Sequence, residues 1–198
     1  MSGKASDPRA KVPRQTAAEA RAEAQAAAAA GRAARDAAIA ERFGEGVPGA
    51  GILSATKVTT ALFVVFTVVV TIVDTRGLRI ALALFDSALF LAGCGLFLLA
   101  LYDGAQRSRE ADLTMSGWWF LSGSAPPSVR ATLLGAVAVQ TIVGLVTAAI
   151  RIETTLAFGI LVPTLGLAFC GLWGARHGLF PPRRFAQEQV AIPKRRKR

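Results

Sequence analysis

Lys57 to Asp74 reads KVTTALFVVFTVVVTIVD, and no charge interrupts Val58 to Val73. This run limits what the chain can fold into more than any other feature. A helix advances about 1.5 Å per residue and a bilayer's hydrocarbon core is about 30 Å thick, so a span needs about 20 apolar residues. The run reaches that length once residues from about Ser54 are added, or once Lys57 snorkels to the headgroups. Its β-branched residues would suit a buried strand in water. In lipid a lone strand leaves backbone groups unpaired, a cost that only helices and closed barrels avoid. A secretory signal does not fit a run that starts at residue 57, behind a mostly polar stretch.

Three further apolar runs follow, so the sequence predicts an all-α membrane protein, a four-helix transmembrane bundle. The spans are expected at about 55–74, 80–102, 131–150 and 154–175. Residues 1–51 form a cytoplasmic arm and linker, 52–176 the membrane domain and 177–198 a basic cytoplasmic tail. A net charge of +10 beside a positive mean hydropathy fits a membrane domain with basic tails. The size leaves room for one membrane domain. Cys94 and Cys170 both lie in apolar runs, which suggests packing rather than a disulfide, redox or zinc role. His177 is the one histidine. No metal or cofactor is expected.

Met1 to Thr16 has few large apolar residues and should be disordered. Ala17 to Arg42 is Ala-rich and should be helical, yet it lacks a stripe of large apolar residues. It reads as a solvated helix, or as a docking arm. FGEGVPGAG (Phe43 to Gly51) is a linker. The turns after spans one and three are short, which makes each flanking pair antiparallel neighbours. Asp103 to Arg130 is the longest loop. Its Trp118, Trp119 and Phe120 are expected in the headgroup layer, with ligand stacking as the lesser reading.

Twenty Lys and Arg residues lie in the segment up to Lys57, the long loop and the tail from Arg176, against three, Arg76, Arg79 and Arg151, in the short turns. The positive-inside rule then puts both termini and the long loop in the cytoplasm. Small residues at four-residue spacing mark expected helix contacts. They are Thr132, Ala136, Gln140, Gly144 and Ala148 in span three, and Gly166, Cys170 and Gly174 in span four. In span two they are Ala88 and Ala92 with Ser87 and Gly95 alongside.

Asp86 is the acidic residue well inside a span. A charge there costs a few kcal/mol, so the side chain should be protonated or paired with Arg79 or Arg151. The functional reading is a proton or cation relay. The structural reading, a neutral Asp86 bonded to Ser87, Gln140 or a threonine, is favoured. Gln140 should bond to a neighbouring helix, and Pro163 should kink span four or free a carbonyl. The terminal Lys194, Arg195, Arg196, Lys197 and Arg198 suit anionic lipid headgroups better than nucleic acid, which is not expected as a partner. The glycine-rich pieces match no phosphate loop or dinucleotide fingerprint.

YDGAQRSREADLTMSGWWFLSG (Tyr102 to Gly123) with CGLWGARHGLFPPR (Cys170 to Arg183) resembles small four-span integral membrane proteins of actinobacteria. The resemblance covers about residues 43–184. It implies a plasma-membrane location and carries over no activity and no site residues. Three functions fit these residues. The first is a non-catalytic accessory, assembly or scaffold subunit of a larger membrane complex, associated with other membrane proteins or with copies of itself. The second is a small transporter or channel using Asp86, and the third a membrane enzyme acting on lipids.

Overall fold

The computed structural model describes residues 16–150 and 155–183. The elements are α1 (Ala17–Phe43), α2 (Ala50–Val73), α3 (Arg76–Arg107), α4 (Met115–Trp119), α5 (Pro127–Ile150), a 3-10 segment (Thr155–Leu161) and α6 (Pro163–His177). Among the described residues there is no strand, only an isolated bridge between Ala111 and Pro182. Four stretches are long and apolar enough to cross a membrane: α2, α3, α5 and Phe158–His177. Four such helices suit a multi-pass membrane protein. The chain divides into two units, Met1–Ala38 and Ile39–Arg198.

The first unit holds most of α1, where every residue from Thr16 to Ala37 is exposed. The helix starts in a capping box. The Thr16 N–H donates to Glu19 Oε2 at 2.8 Å, and the Glu19 N–H donates to Thr16 Oγ1 at 3.3 Å. Those bonds hold the Glu19 carboxyl below its ordinary value.

In the second unit α6 is the central helix. Of the fourth span 67% is buried, against 28% or less of each other span. Its sequence explains why. Lipid gives helices no hydrophobic drive to associate, so close backbone approach through small residues has to hold them. A Cβ on Gly166 would meet Gln140 Oε1 at 2.6 Å, while Gly171 and Gly174 lie against Trp119 and the Trp118 backbone. From the other side, a Cβ on Gly93 of α3 would meet the Leu165 nitrogen at 2.8 Å. The expected stripe Gly166, Cys170 and Gly174 is buried as a whole. In α5, Ala136, Gln140 and Gly144 are buried, but Thr132 and Ala148 are only half-buried. A strict four-residue step overshoots the 3.6-residue turn, so Leu133 and Thr147 take the inner face at the ends.

Several expectations are corrected. In α3 the small residues Ala88, Ala92 and Gly95 are exposed and Ser87 is half-buried. The inner face is Leu82, Asp86, Gly93, Ala100 and Gly104 instead. Spacing alone could not choose between two small-residue stripes on one helix. The helices also outrun the predicted spans: α2 begins at Ala50, α3 runs from Arg76 to Arg107, and α5 begins at Pro127. Counting apolar residues finds the hydrocarbon slab, whereas a helix continues until a breaker or cap. Asp74 is such a stop, with φ 46° in the left-handed region and its N–H donating to the Val70 carbonyl. Pro163 does not kink a continuous helix. It stands at the first turn of α6, where its missing N–H costs nothing and a 3-10 segment precedes it.

Candidate functional site

The interior of the second unit contains buried polar side chains from three spans. The Gln140 Nε2 donates to Thr60 Oγ1 at 2.7 Å, tying α5 to α2 across a fully buried contact. That is the interhelical amide bond the sequence predicts for Gln140. One turn away, Phe63 and the Asp86 carboxyl meet at Gly159 of the 3-10 segment. A Cβ on Gly159 would lie 3.5 Å from Asp86 Oδ2 and 3.5 Å from the Phe63 ring. Gly144 closes the other side, since a Cβ there would come within 2.7 Å of the Gly159 carbonyl. Thus Asp86 of α3, Phe63 of α2, Gly144 of α5 and Gly159 converge at one depth. Gln140, beside Thr60, lies one turn to one side of that depth, and Thr67, beside Val143 and Thr147, one turn to the other.

Among the described residues, Asp86 meets none of the partners expected for it. Ser87 donates to the Ala83 carbonyl in its own helix, and Gln140 donates to Thr60. Arg79 faces Asp74 at 3.6 Å, with both side chains about one-third exposed. Arg151 lies outside the described residues. Four buried side-chain atoms among those described lack a hydrogen-bond partner: Asp86 Oδ1 and Oδ2, Gln140 Oε1 and Thr67 Oγ1. An unsatisfied buried polar group costs about 1–3 kcal/mol. The hydroxyls of Thr56, Thr59, Thr71, Thr141 and Thr147, by contrast, all donate to carbonyls one turn back. Thr67 also borders an open groove of about 300 Å³ between α2 and α5, lined mainly by valine and isoleucine with Thr71 and Thr147.

The opposite end of the bundle carries the aromatic cluster. Trp118 and Trp119 do not face outward. The Trp118 Nε1 donates to the Gly171 carbonyl at 2.8 Å, and Trp119, almost wholly buried, stacks on Phe97 with ring centroids 4.7 Å apart. Phe120 alone of the three is exposed. Two threonine- and serine-based turns set this up. Thr114 caps α4, and the Ser124 hydroxyl donates to the Gly117 carbonyl. A pair of tryptophans read as belt residues is therefore packed against α6, because Gly104 and Gly171 leave room for indole rings. That room, not visible from α4's own sequence, is the signal that was missed.

Arg107 also has a role that sequence reasoning did not find. Its guanidinium donates to the Ala175 carbonyl at 2.8 Å and the Gly178 carbonyl at 2.6 Å, capping the C-terminus of α6. Beside it Arg176 pairs with Asp103 at 2.6 Å. Trp173 donates to the Pro48 carbonyl at 3.1 Å and contacts Phe43. Ile39 and Phe43, the last turns of α1, belong to the same apolar core as Leu121, Phe169 and Trp173. Both residues belong to the second unit, which starts at Ile39. Cys170 is buried and Cys94 half-buried, and both are free thiols. Among the described residues no group of three His, Cys, Asp or Glu could hold a metal. The terminal Lys194 to Arg198 lie outside the described residues. Comparison of the chain with family models, with curated proteins and with solved structures finds no match.

Proposed function

We propose that this chain is a non-catalytic accessory or scaffold subunit of a larger complex in the plasma membrane, with both termini cytoplasmic. The observation that supports this reading is α1. Fifteen of its twenty-seven residues are alanine, and the whole stretch from Thr16 to Ala37 is exposed. Such a helix has no use in a core, whereas its small side chains let a partner helix approach closely. Its last turn, at Ile39 and Phe43, is built into the membrane unit, so a partner held by α1 is held to the bundle. The orientation rests on the distribution of Lys and Arg. Arg42, Lys57, Arg107, Arg109, Arg130, Arg176 and Arg183 gather toward one set of helix ends.

Gentle extraction at natural expression, followed by native mass measurement, tests the reading. The intact chain is expected to bring a stoichiometric partner, and a chain lacking residues 17–37 to lose it. A lone full-length chain would remove the proposal. The topology has its own test. Gly77, with nothing near its Cβ position, takes a cysteine without strain. Gly77→Cys should react with an impermeant thiol reagent outside intact cells, and protection there would reverse the orientation.

A further inference from the structure

The fourth span ends among basic side chains drawn from three elements. Arg42 is in the last turn of α1, Arg107 in the last turn of α3, and Arg176 and His177 in the last turn of α6. Packing holds them together. The Arg42 guanidinium lies over the Phe43 ring at 5.8 Å, Phe43 meets Trp173 with ring centroids 6.0 Å apart, and Trp173 meets the His177 ring at 5.7 Å. Arg107 donates to the carbonyls of Ala175 and Gly178, on either side of His177. Gly49, left-handed at φ 79°, closes the group, since a Cβ there would come within 2.8 Å of the His177 ring and 2.9 Å of Trp173.

Like charges brought this close repel unless something offsets them. Arg107 has its two carbonyls with Glu110 nearby, and Arg176 has Asp103. Arg42 and His177 have no such partner among the described residues. Arg42 makes only its stack on Phe43, and His177 only its ring contact with Trp173. The charged groups that act on His177 are Arg176, Arg107 and Arg42, all positive, and Arg42 acts on Arg107 as well. The junction of α1 with α6 therefore has spare donors and positive charge, and an anion complements it.

Depth selects the anion. Arg107 stands five residues past Tyr102, where the apolar run of α3 ends, so it lies about 7 Å beyond that point along the axis. The headgroup layer on each face of a bilayer is about 5–7 Å thick, and it holds the lipid phosphates. Basic pockets between spans commonly take anionic headgroups there.

We propose that the phosphate of one anionic lipid sits between Arg42 and His177, with Arg107 and Arg176 adding charge around it. The lipid offsets the repulsion and so joins the end of α1 to the end of α6. The site is separate from the terminal Lys194 to Arg198. It does not involve Thr16 to Ala37 and does not depend on the accessory role.

Native mass measurement of the full chain, released from nanodiscs of mixed phosphatidylcholine and phosphatidylglycerol, tests this. One phosphatidylglycerol per chain should stay bound in preference to phosphatidylcholine. Arg42→Gln should weaken that preference about fivefold, which is about 1 kcal/mol. His177→Phe keeps a ring against Trp173 but removes the imidazole donors, and the double variant should abolish the preference. In amide exchange, Phe43 to Gly49 should be better protected in the mixed discs than in phosphatidylcholine alone, and Arg42→Gln should remove the difference. No preference for the anionic lipid, or one that survives the double variant, overturns the proposal. So does its loss on deleting Lys194 to Arg198, which would put the lipid on the tail. Equal protection by inorganic phosphate in phosphatidylcholine discs also overturns it, because the ligand would then be a soluble anion. A chain lacking residues 17–37 should keep the bound lipid, so this inference and the accessory reading fail separately.

Discussion

The bond from Gln140 to Thr60 is the one side chain to side chain hydrogen bond that joins two spans in the described interior. Its weight can be separated from simple burial by a double-mutant cycle. Gln140→Leu and Thr60→Val, alone and together, should show a coupling of about 1 kcal/mol in reversible detergent unfolding, the usual range for interhelical bonds in membranes. Additive effects would mean that the amide is held by shape alone. Trp118 offers a similar comparison. Trp118→Phe keeps a ring against α6 but removes the donor to the Gly171 carbonyl. The loss should be about 1 kcal/mol, with the bundle otherwise intact. Glycines make the sharper demand. Gly93 stands where the Leu165 backbone leaves no space for a methyl group, so its role is approach rather than conformational freedom.

Among the elements, α6 depends on its two ends in different ways. Its C-terminal carbonyls are satisfied by Arg107 from α3, a charged donor bridging two helices. Arg107→Met keeps the apolar stem and removes both bonds. It should destabilise the folded chain by about 1.5–3 kcal/mol and raise amide exchange in the last turn of α6. At the other end Pro163→Ala should change stability by less than about 0.5 kcal/mol, because proline at a helix's first turn gives up no bond. The existence of the four spans was legible in the sequence from apolar run length, and Gln140's bond from its place in a small-residue stripe. Three things were not. Helix ends depend on caps such as Asp74 and Thr75, which a hydropathy count ignores. The inner face of α3 depends on which stripe its neighbours fill. The two tryptophans depend on glycines from α3 and α6, far away in sequence. Asp86 was singled out from sequence, but that Ser87 and Gln140 bond elsewhere and leave its carboxyl oxygens unpartnered is a fact of three dimensions.

Across the molecule, burial is distributed very unevenly. The fourth span fills the centre, and α2, α3 and α5 wrap it with faces that otherwise meet lipid. Outward-facing positions such as Gly95 should accept large apolar residues. Gly95→Leu has nothing within 4 Å of its Cβ position and should leave stability unchanged, whereas Gly171→Leu should prevent folding. Comparing the two by yield of monodisperse protein reads the difference directly. The central place of α6 has a temporal side as well. During synthesis α2, α3 and α5 leave the ribosome before it and enter the bilayer without the helix they close around. Until α6 arrives, Gly93 and the indoles of Trp118 and Trp119 lack the helix they pack against. Assembly therefore waits on the last span, and a chain interrupted before Pro163 is a membrane-inserted product with no core, one that a cell's proteases can tell from the finished protein.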